Sequence, residues 1–197
     1  MLFRSPFVVA KQAATLDRLS GGRVVLGVGA GWQAEEFANV GAPFADRGAR
    51  LDEAIDLLRA LWRGETSFAG ERFGFEHGVL QPRPARSIPI MVGGVTRRAF
   101  RRVAERADAW QGLGHTPETF ARDAALIKEL TDRPIRLTTR IQWEEQSPEQ
   151  IIESAHGFAA AGADALAIWL GAEDVALARL ETLASAGELR PYLAARD

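Results

Sequence analysis

Apolar positions along this chain fall into two alternating kinds of segment. Val24, Val25, Leu26 and Val28 make a nearly continuous β-branched run, the composition of a strand covered on both faces in a parallel sheet. Ile88-Pro89-Ile90-Met91-Val92 and Ala165-Leu166-Ala167-Ile168-Trp169-Leu170 repeat it, and Ala109-Trp110-Gln111 is a shorter version. Ile135, Leu137, Thr139, Ile141 and Trp143 alternate with polar neighbours, the period of two that a strand requires. Between these runs the spacing becomes helical. Phe7, Ala10, Ala14 and the pair Leu16/Leu19 predict a core stripe on a first helix, and Leu51, Ile55, Leu58 and Trp62 predict one on a helix over 49–62.

Caps and breakers bound the segments. Ser5-Pro6, Thr116-Pro117-Glu118 and Ser147-Pro148-Glu149 each place a hydroxyl at the N-cap and proline at the first helical position, with Thr116 and Thr119 competing as caps. Thr96 opens a helix through Val103 and Ala107, the helix from Thr116 runs to Leu130, and Glu173 to Ala186 forms a last helix before a polar tail. Gly21-Gly22, Gly64 and Gly162 end helices. A loop through Phe37, Pro43 and Phe44 precedes the second long helix. From Thr66 to Arg86, aromatics, glycines and prolines suggest a hairpin-like excursion. Five strands result, each followed by a helix after the N-terminal one. With no linker or charge block among them, residues 1–197 read as one domain. The pattern is that of a parallel α/β fold, either an open doubly wound sheet or a piece of a closed barrel. A complete barrel has eight strands in about 250 residues, so a barrel read from this chain is short by about three.

Composition narrows the partners. The 197 residues are 47% hydrophobic and 25% charged, with a formal charge of -2, which suits an ordinary globular domain and gives no reason to expect a nucleic-acid or membrane partner. A small-molecule substrate is the natural expectation. The chain has no cysteine, so it has no disulfide framework, thiolate metal site or cysteine nucleophile, in keeping with a cytoplasmic setting. Met1-Leu2-Phe3-Arg4 is too short for a signal peptide, and no apolar run reaches membrane-spanning length.

Candidate chemistry centres on the glycines that end the strands. In Leu26-Gly27-Val28-Gly29-Ala30-Gly31-Trp32, bare backbone reaches the mouth of a buried strand, where a phosphate could sit. A dinucleotide fingerprint would need another glycine where Trp32 stands. Gly93-Gly94 repeats the theme, with Thr96 opening the following helix. The plainer reading of such glycines is a tight turn out of the sheet. His77, His115 and His156 are dispersed with no carboxylate at ligand spacing, so no metal site is expected and each is read as a loop or surface residue. Adjacent Glu35 and Glu36 read as solvated charges. Trp32 either walls a pocket or fills the barrel mouth, and Trp62, Trp110, Trp143 and Trp169 read as core.

The segment from Ala10 to Arg23 running into Leu26-Gly27-Val28-Gly29-Ala30-Gly31-Trp32, together with Glu35-Glu36-Phe37, Gly41, Arg47-Gly48-Ala49-Arg50-Leu51-Asp52-Glu53 and Pro89-Ile90-Met91-Val92-Gly93-Gly94, resembles the bacterial luciferase-like monooxygenase family. The similarity is greatest to the branch that uses the deazaflavin coenzyme F420 rather than FMN. That resemblance implies a partial TIM (β/α)8 barrel of about five strand-helix units, with residues 23–29 as the fourth strand and the chain beginning about three strands late. It implies cofactor-binding roles for Gly29, Ala30 and Gly31 on the first turn, for Arg47 near the phosphate, and for Gly93, Gly94 and Thr96 at a helix N-terminus. In some family members an arginine occupies the position of Ala30, which has no guanidinium to offer. Arg47 has an alternative as a surface partner of Asp46 or Asp52.

The family's residues nearest the reacting ring carbon lie on its N-terminal strands, so no catalytic residue is assigned. The implied activity is hydride transfer between F420 and a small organic substrate, or oxygenation if the coenzyme is FMN. The alternative is a non-catalytic barrel fragment that binds cofactor or assembles without turnover. Five strands leave two sheet edges open, so a homo-oligomer or a partner chain covering them is expected.

Overall fold

The computed structural model describes residues 4–185. The polar tail, the Ala186 end of the last helix and the first three residues lie outside the described residues. Contacts group the chain into two compact units: the first runs to Gly93 and takes in Glu105–Asp108, and the second comprises Gly94–Ala104 and the chain from Ala109 on.

The first unit contains α1 (Pro6–Leu19), β1 (Leu26–Val28), α2 (Ala34–Asn39), α3 (Arg47–Arg63), β2 (Phe68–Ala69), β3 (Gly74–Phe75) and β4 (Ile90–Gly93). β1 and β4 pair in parallel, Leu26 opposite Ile90 and Val28 opposite Val92. Leu51, Ile55, Leu57 and Leu58 of α3 are fully buried, with Ile88, Ile90 and Val92 also buried; burial of such side chains stabilises by about 1.5–3 kcal/mol each. α1 contributes Ala10, Ala13 and Ala14 to the core. These small residues let α1 lie close to α3, whose Trp62 donates its indole N–H to the Ala10 carbonyl at 3.0 Å. Gly64 ends α3 in the left-handed conformation, φ 79°, as the glycine there predicts.

Three expectations are corrected in this unit. Leu16 and Leu19 are 56% and 79% exposed; the inward face of α1 continues instead to Asp17, which is buried and accepts the Ala85 amide at 2.8 Å. One helical step of about 100° takes Leu16 off that face. The first strand is shorter and less covered than its composition suggests, with Val25 46% exposed and Leu26 half-buried. Arg86 rather than a neighbouring strand serves the Val24 carbonyl, at 3.1 Å. A short helix, α2, stands where a loop was expected, and buries Phe37.

The aromatic and glycine-rich excursion is a hairpin, with Phe68 opposite Phe75 and Ala69 opposite Gly74. Its turn is held by a carboxylate from α3: Glu53 accepts the backbone amides of Arg72 at 2.7 Å and Phe73 at 2.6 Å. The Arg72 guanidinium adds ion pairs to Asp46, Glu53 and Glu71 at 3.0, 3.4 and 2.9 Å.

The second unit contains most of α4 (Arg97–Arg106), then β5 (Ala109–Leu113), α5 (Pro117–Leu130), β6 (Arg136–Gln142), α6 (Pro148–Ala160), β7 (Ala165–Trp169) and α7 (Glu173–Ser185). β6 pairs in parallel with both β5 and β7. The competing threonines resolve into one device: Thr116 is the N-cap of α5, and Thr119 answers it in a reciprocal capping box. Ser147 and Gln150 do the same for α6. Trp169, read as core, is 47% exposed; it closes a strand paired on one side only among the described residues, and its alternation turns that side chain outward.

Five strands in parallel pairings alternate with seven helices among the described residues, the α/β organisation expected for about five strand-helix units. No pairing among these residues closes a barrel.

Candidate functional site

Because β1 and β4 run parallel with Val28 opposite Val92, the backbones of Gly29 and Gly93 leave the strands side by side within the first unit. The C-terminal ends of parallel strands are where loops gather ligands in α/β proteins. Gly29 faces open space, since a Cβ added there would meet no atom within 4 Å. Gly31 differs: its φ is +81°, and a Cβ would come within 2.8 Å of the Phe37 ring. Phe37 in turn packs edge-on against Phe44, with centroids 5.1 Å apart.

Arg47 completes this support. Its guanidinium carbon lies 3.9 Å from the centroid of the Phe44 ring, Nε donates to the Gly31 carbonyl at 3.1 Å, and Nη1 donates to the Phe44 carbonyl at 3.1 Å. The alternative pairing of Arg47 with Asp46 or Asp52 is absent among the described residues; Asp46 is engaged by Arg72 instead. Among the described residues Nη2 of Arg47 has no acceptor, and the rest of the fork fixes the loop. Ala30 sits between the two glycines, half-buried. Trp32, the next residue after Gly31, is 82% exposed and fills nothing in the described chain.

Gly94 and Thr96 belong to the second unit. Gly94 has φ +128°, and a Cβ there would lie 2.9 Å from that of Ala99, so close strand-to-helix packing demands glycine. The Thr96 hydroxyl oxygen accepts the Ala99 amide at 3.2 Å, which makes Thr96 the cap of α4 and leaves its proton free to donate. The Gly94 carbonyl accepts the indole N–H of fully buried Trp110 at 2.9 Å. Trp110 stacks on Phe120, centroids 5.3 Å apart at 20°, and meets Phe100 and His115 edge-on.

His115 lies in the loop before α5, one of the two placements expected of it, but its ring is turned away from the surface. Its side chain is 4% exposed and its Nε2 lies 3.1 Å from Oδ2 of Asp123, itself buried in α5 and held at Oδ1 by Arg122. Burial alone would raise the Asp123 pKa, but hydrogen bonds from Arg122 and His115 outweigh it and hold the carboxyl below its ordinary range. The spacing of His115 and Asp123, eight positions apart across a helix cap, carries no sequence signature; only the folding of the capped loop back onto α5 brings them together.

The structure thus gathers Gly29, Ala30, Gly31, Arg47 and Gly93 in the first unit, and Gly94 and Thr96 in the second. Trp110 is core, as the sequence suggests, but its bond to Gly94 and the His115–Asp123 pair escaped the sequence reading, because tryptophan on an apolar strand looks like core whether or not its N–H also holds a turn. Among the described residues no group of three or more His, Cys, Asp or Glu side chains is placed to hold a metal ion, and no helix is long and apolar enough to cross a membrane.

The family model described as luciferase-like monooxygenase matches residues 1–143. An uncharacterized protein of Mycobacterium tuberculosis is 42% identical over 130 residues, which cover 66% of this chain and 45% of that protein. The chain spans about half the length of such curated relatives. Among solved structures, the monooxygenase RslO1 from Streptomyces bottropensis superposes with a TM-score of 0.83 at 16% identity, covering 98% of this chain and 76% of that one. The coenzyme F420-dependent tetrahydromethanopterin reductase from Methanopyrus kandleri gives 0.77 at 14% identity, covering 97% and 80%. At these identities the superpositions speak to the fold.

Proposed function

Because the chain belongs to the luciferase-like monooxygenase family, we propose that it binds a flavin-type coenzyme, the deazaflavin F420 ahead of FMN, and serves hydride exchange between that coenzyme and a small organic substrate. The observation that carries this reading is the side-by-side exit of Gly29 and Gly93 from paired parallel strands, with unobstructed backbone at Gly29. Bare backbone of this kind admits a flat ring or a phosphate to hydrogen-bonding distance of main-chain amides. When bound, the coenzyme supplies the hydride chemistry.

The residues of the chain fit such a group. Gly29, Ala30 and Gly31 present backbone, and the unengaged Nη2 of Arg47 offers a charge-assisted donor. In the second unit, Gly94 and Thr96 at the start of α4 offer amides and a hydroxyl proton to a phosphate. Phe37 and Phe44 pack edge-on beside the first loop, and Arg47 ties its Gly31 carbonyl. The Methanopyrus reductase is named for F420, which agrees with placing the deazaflavin first.

Titration of the 197-residue chain with F420 and, separately, FMN, followed by ligand fluorescence, tests the reading. Saturable binding of one coenzyme, weakened at least tenfold by Gly29→Leu with thermal unfolding unchanged, is the expected result. A folded chain that binds neither coenzyme refutes it. Saturable binding without turnover of any alcohol or aldehyde panel would favour the non-catalytic alternative.

A further inference from the structure

One ring nitrogen of His115 is bonded and the other is not. Nε2 lies 3.1 Å from Oδ2 of Asp123, whose Oδ1 accepts from both Nε and Nη2 of Arg122 at 3.0 Å. The Asp123 carboxyl is held below its ordinary range, so it acts as an acceptor and the proton between the pair belongs to Nε2. Nδ1 is buried and has no hydrogen-bond partner among the described residues. It stands against the backbone of Gly112, where an added Cβ would come within 2.9 Å of it, and the ring lies edge-on to Trp110 and Phe120. A bare lone pair is tolerable there while the imidazole is neutral. A second proton, on Nδ1, would instead bury a charged N–H without an acceptor, which is far more costly. The charged groups that face His115 among the described residues are Asp123 and, beyond it, Arg122, both from α5; β5 contains no titratable residue. Arg122 already shares the Asp123 charge, so a cationic His115 would have part of one carboxylate at Nε2 and nothing at Nδ1.

We propose that His115 is a positioning residue that works only while its Nδ1 carries no proton, a proton-controlled latch on the backbone at Gly94. The contacts run in sequence through three parts of the second unit. His115 packs against Trp110 with centroids 5.3 Å apart, and Trp110 donates its indole N–H to the Gly94 carbonyl at 2.9 Å. Gly94 leads into the Thr96 cap of α4. When Nδ1 gains a proton, the ring must turn toward water to hydrate it, and its edge leaves Trp110. Gly114, at φ +70° with open space around its Cα, gives the loop over residues 114–116 a pivot for that movement. Trp110 then loses one wall of its enclosure, and the Gly94 carbonyl loses a fixed donor. Acid therefore opens the latch. Its effect on coenzyme affinity rests on the reading of Gly94 and Thr96 given above, whereas the coupling of His115 to Trp110 stands without it.

The test is a titration of the full chain from about pH 8 to about pH 5, the range in which histidine changes charge. Nitrogen NMR follows the imidazole of His115 and the exchange protection of the Trp110 indole N–H, with His115→Gln and Trp110→Phe assigning the two signals. F420 affinity is measured by fluorescence at both ends of the range. At the alkaline end the His115 proton is expected on Nε2, with the indole N–H protected. As Nδ1 is protonated, that protection should fall at least about tenfold and F420 affinity at least about fivefold. His115→Gln keeps a donor for Asp123 but takes up no proton, so both quantities should be independent of pH in it. A histidine that only fills space would lower the stability of the variant without coupling the two signals in the parent. Protonation of Nδ1 with indole protection unchanged overturns the proposal, as does an equal acid response in His115→Gln, or a His115 that gains no proton by about pH 5. Should the variant fail to fold, the coupling within the parent still decides. A chain that binds no F420 at the alkaline end removes the coenzyme reading, and the His115–Trp110 coupling is then decided by NMR alone.

Discussion

The indole N–H of Trp110 on β5 donates to the carbonyl of Gly94 at 2.9 Å, tying the glycine turn before α4 to the most aromatic part of the second unit. Trp110→Phe keeps most of the ring packing against Phe100 and Phe120 but deletes this bond. The variant should lose about 1–2 kcal/mol by urea denaturation, since the Gly94 carbonyl is left without its donor. Coenzyme affinity should fall as well, because Gly94 would no longer be held in place. Trp110→Ala should cost about 3–5 kcal/mol through the cavity alone. Equal stability of Trp110→Phe and the parent would show that the bond contributes nothing.

Gly29 and Gly31 lie two residues apart yet should respond oppositely to substitution. Gly29→Ala should fold with unchanged stability, since its Cβ meets nothing within 4 Å. Gly31→Ala combines φ +81° with a 2.8 Å approach to Phe37, and should lose about 2–4 kcal/mol. Thermal melts of the two proteins side by side decide it.

Arg47 should affect both stability and binding. Two of its donors hold the Gly31 and Phe44 carbonyls and its plane covers the Phe44 ring, so Arg47→Ala should destabilise by about 1–2 kcal/mol. Arg47→Lys keeps the charge but lacks the planar fork and should recover only part of that loss. If affinity for the coenzyme falls in Arg47→Ala while the urea midpoint stays fixed, the arginine acts on the ligand alone.

The hairpin should loosen in acid. Burial pushes the Glu53 carboxyl upward, but the Phe73 and Arg72 amides and the Arg72 guanidinium outweigh it and hold its pKa below the ordinary 4.5. A carboxyl whose folded pKa is depressed stabilises the fold above its unfolded pKa, and that contribution is lost as pH falls through the folded value. Stability should therefore drop below about pH 4.5. Glu53→Gln should be about 1–3 kcal/mol less stable at pH 7, with a flatter acid limb in denaturation curves taken from pH 7 to pH 3. An unchanged acid limb would assign the loss to other carboxylates.

Much of the fold was legible because its signals are local. Glycine in the left-handed conformation at Gly64, proline at the first turn of α1, α5 and α6, and the hydroxyl caps at Thr116 and Ser147 act within a few residues of themselves. The hairpin also announced itself, through its glycines and aromatics. Misreadings arose where an apolar residue had more than one face to choose from. Leu16, Leu19 and Val25 are apolar enough for a core, but Ala10, Ala13, Ala14 and Asp17 turned inward on α1, and β1 offers only a short paired stretch.

The amino-acid sequence by itself determined the alternation of strand and helix, the family, and the two glycine turns, because each depends on backbone freedom or hydrophobic period along a continuous stretch. Tertiary structure alone decided what stands around those turns. Phe37 lies six residues beyond Gly31 and Arg47 sixteen, Trp110 lies sixteen beyond Gly94, and Glu53 nineteen before Arg72; each pair meets through packing of separate elements. Packing selects partners by shape and by the need of buried polar groups for a hydrogen bond, and neither is written in the spacing of residues along a chain.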